Sequence, residues 1–146
     1  MALHLIQGPA GGGKSQVVRD LVAAGTVQVV ADITRTWAAV GGYERDEEGR
    51  YPVREDYDPA LSIARYLQVV TVRRALEANA DVAVTTSRRG QAARWISIAD
   101  EHGTETLIRT VDPGEATVRQ RLADVFGKPL SAECDRAVRR WYEGGS

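Results

Sequence analysis

Gly8, Gly13, Lys14 and Ser15 stand at the spacing G-x-x-x-x-G-K-[ST] in "GPAGGGKSQ", directly after the apolar run "LHLIQ". This is the Walker A pattern, and its chemistry is the holding of phosphate. A chain that wraps a diphosphate must point backbone N–H groups inward, so its residues must lack bulk and tolerate positive φ. Gly11, Gly12 and Gly13 supply that freedom after Pro9 and Ala10, and a helix from Lys14 through Gln16 aims its positive dipole end at the anion. Lys14 is expected to bridge β- and γ-phosphates, and the Ser15 hydroxyl to ligate Mg²⁺. A glycine turn that merely precedes Lys-Ser needs neither the strand before it nor the helical "SQVVRDLVAAG" after it, and both are present. The dinucleotide fingerprint G-x-G-x-x-G does not occur and would leave Lys14 without a role. The expected ligand is ATP, or another nucleoside triphosphate, with Mg²⁺.

The next β-branched run ends "VVADITR". Asp32 therefore falls at the carboxyl end of a parallel strand, where open α/β sheets bind ligands. A carboxylate facing a γ-phosphate can take the proton of an acceptor hydroxyl, the general-base role in phosphoryl transfer. Arg35, three residues on, can hold an anionic acceptor through a forked contact. The plainer roles are an N-cap for Asp32, compatible with the first, and a surface position for Arg35.

Further along, "TTSRRGQAARW" gathers Arg88, Arg89 and Arg94 at a strand end, suited either to an acceptor phosphate or nucleic-acid backbone or to a solvated helix start capped by Ser87. Trp37 and Trp95 fall on amphipathic helices, where core packing outweighs base stacking. His4 and His102 have no metal partner at ligand spacing, and with Cys134 they form no nucleophilic triad or dyad. Arg136, Arg139 and Arg140 share a C-terminal helix, expected to dock with one basic face.

These residues need elements to position them. Expected strands are Leu3–Gln7, Val27–Ala31, Val82–Thr86 and Thr106–Val111. Expected helices are Lys14–Ala24, Ile33–Ala39, Pro59–Asn79, Gly90–His102, Gly114–Val125 and Ser131–Trp141. In the third, Asp58 can cap, Pro59 suits the first turn, and Ile63, Tyr66, Leu67 and Val70 make an apolar stripe that Val69, Val72 and Leu76 continue. Alternating strands and helices imply a parallel sheet between helical layers. The segment "GGYERDEEGRYPVREDYD" from Gly41 to Asp58 carries seven acids and three arginines after Tyr43. It reads as a solvated loop or as a flap over the acceptor side, with a small hairpin between Tyr43 and Val53 turned at Gly49.

With 146 residues and 43% hydrophobic composition, the chain is expected to form a single domain over residues 1–146. No apolar run approaches the ~20 residues of a spanning helix, and the N-terminus lacks a signal-peptide pattern. One cysteine allows no internal disulfide, so a cytoplasmic location is expected. A net charge of −1 argues against strong non-specific DNA binding.

The sequence resembles the small P-loop kinases, among them the kinase domain of phage-type 5′-polynucleotide kinases and their zeta-toxin-like relatives. The resemblance rests on the Walker A motif, on the D-x-x-R spacing of Asp32 and Arg35 in "ADITR", and on the layouts of "VAVTTSRRGQAARW", "TVDPGEATVRQRL" and "GKPLSAECDRAVRRWYEG". It implies a three-layer α/β/α P-loop fold, Asp32 as base, Arg35 as acceptor ligand, and a lid arginine that stabilises charge on the migrating phosphoryl group. Two departures stand out. Thr85, Thr86 and Ser87 occupy a turn that often holds an aspartate, and Arg119 and Arg121 are spaced two apart rather than one helical turn. Arg121 is assigned to the lid, with Lys128 as a second cation. The chain also resembles short ATP-binding proteins of tailed phages. Two functions follow: a kinase phosphorylating a hydroxyl on a nucleic-acid 5′-end, nucleotide or small metabolite, or an accessory or assembly protein that binds nucleotide without phosphorylating an acceptor.

Overall fold

Leu3, Leu5 and Ile6 are buried on both faces of β1 (Ala2–Gln7), as a central parallel strand requires. The computed structural model describes residues 1–47, 51–52 and 58–144. β2 (Val29–Ala31), β3 (Val82–Thr86) and β4 (Glu105–Thr110) all run parallel to β1, in the order β2-β3-β1-β4. Among the described residues six α-helices join and flank them: α1 (Lys14–Ala23), α2 (Ile33–Gly41), α3 (Pro59–Glu77), α4 (Ala92–Glu101), α5 (Glu115–Phe126) and α6 (Ala132–Tyr142).

Strand alternation sorts the core into layers. Leu3, Leu5, Val82 and Val84 pack with Val72 and Leu76 of α3 and with Trp95 and Ile98 of α4. Ile6 and Ala83 face the other way and pack with Val18 and Leu21 of α1. Helices therefore cover both faces of the parallel sheet, the three-layer α/β/α sandwich expected of the sequence. A third cluster seals α2 onto α3 through Trp37, Ala60, Leu61 and Ala64. Trp37 is 1% exposed and donates its Nε1 hydrogen to Asp58 Oδ2 at 2.7 Å, so this ring is a core residue.

Several expectations need correction. The second strand starts at Val29 rather than Val27, because Gln28 and Val29 both donate their amides to the Asp81 carbonyl and ladder pairing begins only there. In α3 the first half of the expected stripe faces outward: Ile63 and Tyr66 are 49% and 69% exposed. Small Ala60 and Ala64 take the buried face instead, allowing close approach to α2, and Gln68 is buried through hydrogen bonds rather than apolarity. The helix stops at Glu77, and Asn79 takes φ 58° beyond it. The fourth helix starts at Ala92 after a tight 3₁₀ turn over Arg89–Gln91. Ser87 does not cap that turn, whose cap position is Arg88 without a side-chain bond; just before it the Thr86 hydroxyl accepts from the Arg88 amide at 3.2 Å. The strand Val82–Thr86 falls where expected, and the remaining ends coincide or shift by one or two residues. The hairpin expected between Tyr43 and Val53 falls on residues outside the described ones. Among the described residues no helix is long and apolar enough to cross a membrane.

Candidate functional site

The glycine loop leaves β1 at the carboxyl edge of the sheet, anchored on both sides. The Gly8 amide donates to the Thr86 carbonyl at 3.1 Å, and the Val111 amide donates to the Gln7 carbonyl at 2.8 Å. A Cβ at Gly8 would overlap the Val111 carbonyl oxygen, so this position admits only glycine. Gly13 caps α1 at φ 97°, in the left-handed region. Lys14 lies back across the loop, its Nζ donating to the carbonyls of Gly8 at 2.8 Å and Pro9 at 2.9 Å. The helix start, the glycine loop and the ammonium are brought together at one edge of the sheet, an arrangement suited to an anion.

Asp32 ends β2 and is 4% exposed. Its two carboxylate oxygens have separate tasks. Oδ1 accepts from the Thr34 amide at 3.0 Å and caps α2. Oδ2 lies 3.5 Å from the Ser15 hydroxyl and 3.9 Å from Arg35 Nε. Capping and a site-facing oxygen thus coexist. The strand end is held by Gln68 of α3, whose Nε2 donates to the carbonyls of Ala31 and Thr85, both at 2.8 Å. Thr85 contributes its hydroxyl to the Ile33 amide at 3.4 Å. Thr85 and Thr86 are buried and engaged with backbone, so they brace the site.

Loop, Asp32 and the end of β3 open into one cavity of about 550 Å³, sized for a small-molecule ligand. Seven cationic side chains line it against three carboxylates, Asp32, Asp124 and Glu133. In a chain with 19 basic and 20 acidic residues, that is a strong local concentration of positive charge. Arg121 of α5 is among them, and its Nη1 stands 3.0 Å from where a Cβ of Gly13 would be. Arg119 points elsewhere, pairing with Asp135 at 2.8 Å and holding that carboxyl below its usual range. Lys128 lines a separate recess with Arg119 and Asp135 on another face of α5. Of the three lid candidates, only Arg121 stands at the loop.

Other expected residues divide. Arg88 and Arg94 line the cavity, whereas Arg35 is half exposed and outside its lining. Trp95 is buried in the core and also forms cavity wall. His102 Nδ1 lies 2.9 Å from the Ile98 carbonyl, and among the described residues no cluster of three or more His, Cys, Asp or Glu could hold a metal ion. The basic face expected of α6 splits: Arg139 pairs with Asp135 at 3.0 Å, and Arg140 enters the cavity.

Sequence reasoning missed Arg65, Gln68, Tyr51 and Arg45. Arg65 and Gln68 share a face with Leu61 at i+4 and i+7, a spacing that places them together at the wall. Tyr51 packs edge-on to Trp37 at 5.7 Å and faces Phe126 of α5 at 6.5 Å, with the Arg45 guanidinium 4.8 Å over its ring. No periodicity in that acidic segment announces such a contact. Asp112, after β4, accepts from Tyr142 Oη at 2.6 Å and Trp141 Nε1 at 3.3 Å, and so fixes the end of α6.

Compared with known protein families, residues 3–125 match a family model described as an AAA domain. No curated protein matches the chain.

Proposed function

The chain belongs to this AAA-domain family of P-loop, kinase-like proteins, and from that premise we propose that it transfers the γ-phosphoryl group of ATP to a hydroxyl acceptor. The observation that carries this reading is the divided carboxylate of Asp32. One oxygen is occupied in capping, and the other is held beside Ser15 at the mouth of the phosphate cradle. The acceptor oxygen forms a bond to the γ-phosphorus while the bond to the β-bridging oxygen breaks, and ADP leaves. The acceptor proton passes to Asp32 Oδ2.

Lys14 and the loop amides bind the phosphates, and Arg121 stabilises charge on the migrating group. A hydroxyl and a carboxylate 3.5 Å apart are hard oxygen donors that suit Mg²⁺. Ser15 would hold the ion, with Asp32 nearby, and the ion would neutralise phosphate charge there.

The alternative is a nucleotide-binding accessory protein. It is favoured by one observation, the absence of a second carboxylate at the end of β3, where Thr85 and Thr86 are committed to backbone contacts. A labelled γ-phosphate assay over 5′-hydroxyl oligonucleotides, nucleosides, nucleotides and sugars separates the two. Label in any acceptor supports the kinase, and label in none supports the accessory role.

A further inference from the structure

A magnesium-bound nucleoside triphosphate brings limited negative charge, and Lys14, Arg121, the loop amides and the helix dipole already stand at the cradle. The cavity holds more cations than that ligand needs. Arg65 comes from α3, Arg88 and Arg94 follow β3, and Arg140 comes from α6. Among the described residues, neither Arg94 nor Arg140 makes an ion pair with a carboxylate; Arg94 lies only against the Trp95 ring, 5.8 Å from its centroid. Seven cations against the three carboxylates that line the same space leave an excess of like charge there, which a bound anion would relieve.

Their elements are fastened together. The Arg89 guanidinium lies 4.1 Å over the Trp141 ring, and its Nε donates to the Trp141 carbonyl at 3.3 Å. Arg140, immediately before Trp141, is thereby anchored beside the turn that leads into α4 and Arg94. Asp112 holds the same helix end from the β4 side through Trp141 and Tyr142. Two independent anchors on one helical turn hold α6 in place and present Arg140 to the cavity.

We propose that Arg94 and Arg140 form a second anion subsite, and that the acceptor of this kinase is itself a phosphate ester, held through that phosphate while its hydroxyl faces Asp32. The proposal rests on the kinase reading for the word acceptor, but the subsite stands on the arginines. Guanidinium groups recognise phosphate by forked, charge-assisted hydrogen bonds, and a neutral sugar or alcohol offers them nothing equivalent.

The test is calorimetric binding to the full chain with its phosphate loop saturated by a non-hydrolysable ATP analogue and Mg²⁺. The probes are a nucleoside 3′-monophosphate, the same nucleoside without phosphate, and a dinucleotide with a free 5′-hydroxyl. The phosphate-bearing probes should bind at least about tenfold more tightly than the nucleoside, and Arg94→Ala or Arg140→Ala should each remove about tenfold or more of that affinity. Arg94→Lys and Arg140→Lys should recover part of it. Preference for the monoester identifies a nucleotide acceptor, and preference for the dinucleotide identifies a nucleic-acid end. Equal binding of nucleoside and phosphate, or unchanged affinity in folded Ala variants, overturns the proposal. So does a loss confined to the ATP analogue, which would assign these arginines to the triphosphate. Arginine-dependent probe binding without phosphoryl transfer to any probe would leave the subsite standing and remove the kinase reading.

Discussion

Ser15 and Asp32 are seventeen residues apart in the chain, yet the Ser15 hydroxyl lies 3.5 Å from Asp32 Oδ2. The two come from the first turn of α1 and the end of β2, and β3 lies between their strands in the sheet. The contact therefore spans the carboxyl edge of three adjacent strands, and it joins the glycine loop's helix to a buried carboxylate.

Lys14→Ala removes the ammonium now lying over the loop carbonyls and leaves the loop amides and Arg121 to hold the β- and γ-oxygens. ATP affinity or turnover should fall by at least about tenfold, the scale of a lost charge-assisted bond, with the thermal melt of the free protein little changed. Calorimetric ATP titration and a turnover assay check this. Unchanged values in a folded variant would contradict the cradle assignment.

Gln68→Leu keeps volume but withdraws the donor from the carbonyls of Ala31 and Thr85. Carbonyls left unsatisfied in the interior cost about 1–3 kcal/mol. Denaturant unfolding should show a loss of that size, and transfer should slow because Asp32 follows Ala31 directly. A variant as stable as the parent would show that Gln68 does not hold the strand ends.

How much of this was legible beforehand follows from the range of each interaction. The cradle was readable because glycine, lysine and serine at fixed spacing form a local device whose geometry depends on few distant residues. The Asp32 cap was readable for the same reason. Gln68 was not, because a polar residue on an apolar helix declares its buried role only when two strand ends are known to stop beneath it. The outward turn of Ile63 and Tyr66 was hidden similarly: the close packing of α2 on α3 selects Ala60 and Ala64, and helical spacing alone offered either face. Arg140 was placed on a basic helix face but not in the cavity, since the Arg89–Trp141 and Asp112–Tyr142 contacts that aim it are long-range.

Alkaline pH should loosen α6. Burial first, and the bond to Asp112 second, push the Tyr142 phenol up to about 12. Its stabilising contribution is complete below the unfolded value of about 10 and is lost as pH rises through the folded value. The Tyr142 hydroxyl, as the largest cause, also holds the Asp112 carboxyl below its usual range. That contribution is present above about pH 4 and disappears as acid titrates the folded carboxyl. Tyr142→Phe should flatten the alkaline limb of a stability profile followed by tryptophan fluorescence. An identical limb in the variant would contradict the coupling.

Duplex DNA should bind weakly, with a salt dependence equivalent to about two to four phosphates, because the positive charge is gathered inside a cavity rather than spread over a face. Measuring affinity against salt concentration checks this. A steep dependence equivalent to about eight or more phosphates would point to a DNA-coating surface instead.

The most direct test of the central claim is the rate of phosphoryl transfer by Asp32→Asn, measured beside its stability and ATP affinity. Asparagine caps a helix about as well as aspartate, so α2 and the bond from Thr34 should persist. It cannot take a proton. Stability and nucleotide affinity should change little while transfer falls by about 10²- to 10⁴-fold, the range for a lost general base. A folded Asp32→Asn protein that phosphorylates its acceptor at the parent rate would contradict the assignment and leave Asp32 only the role of a cap.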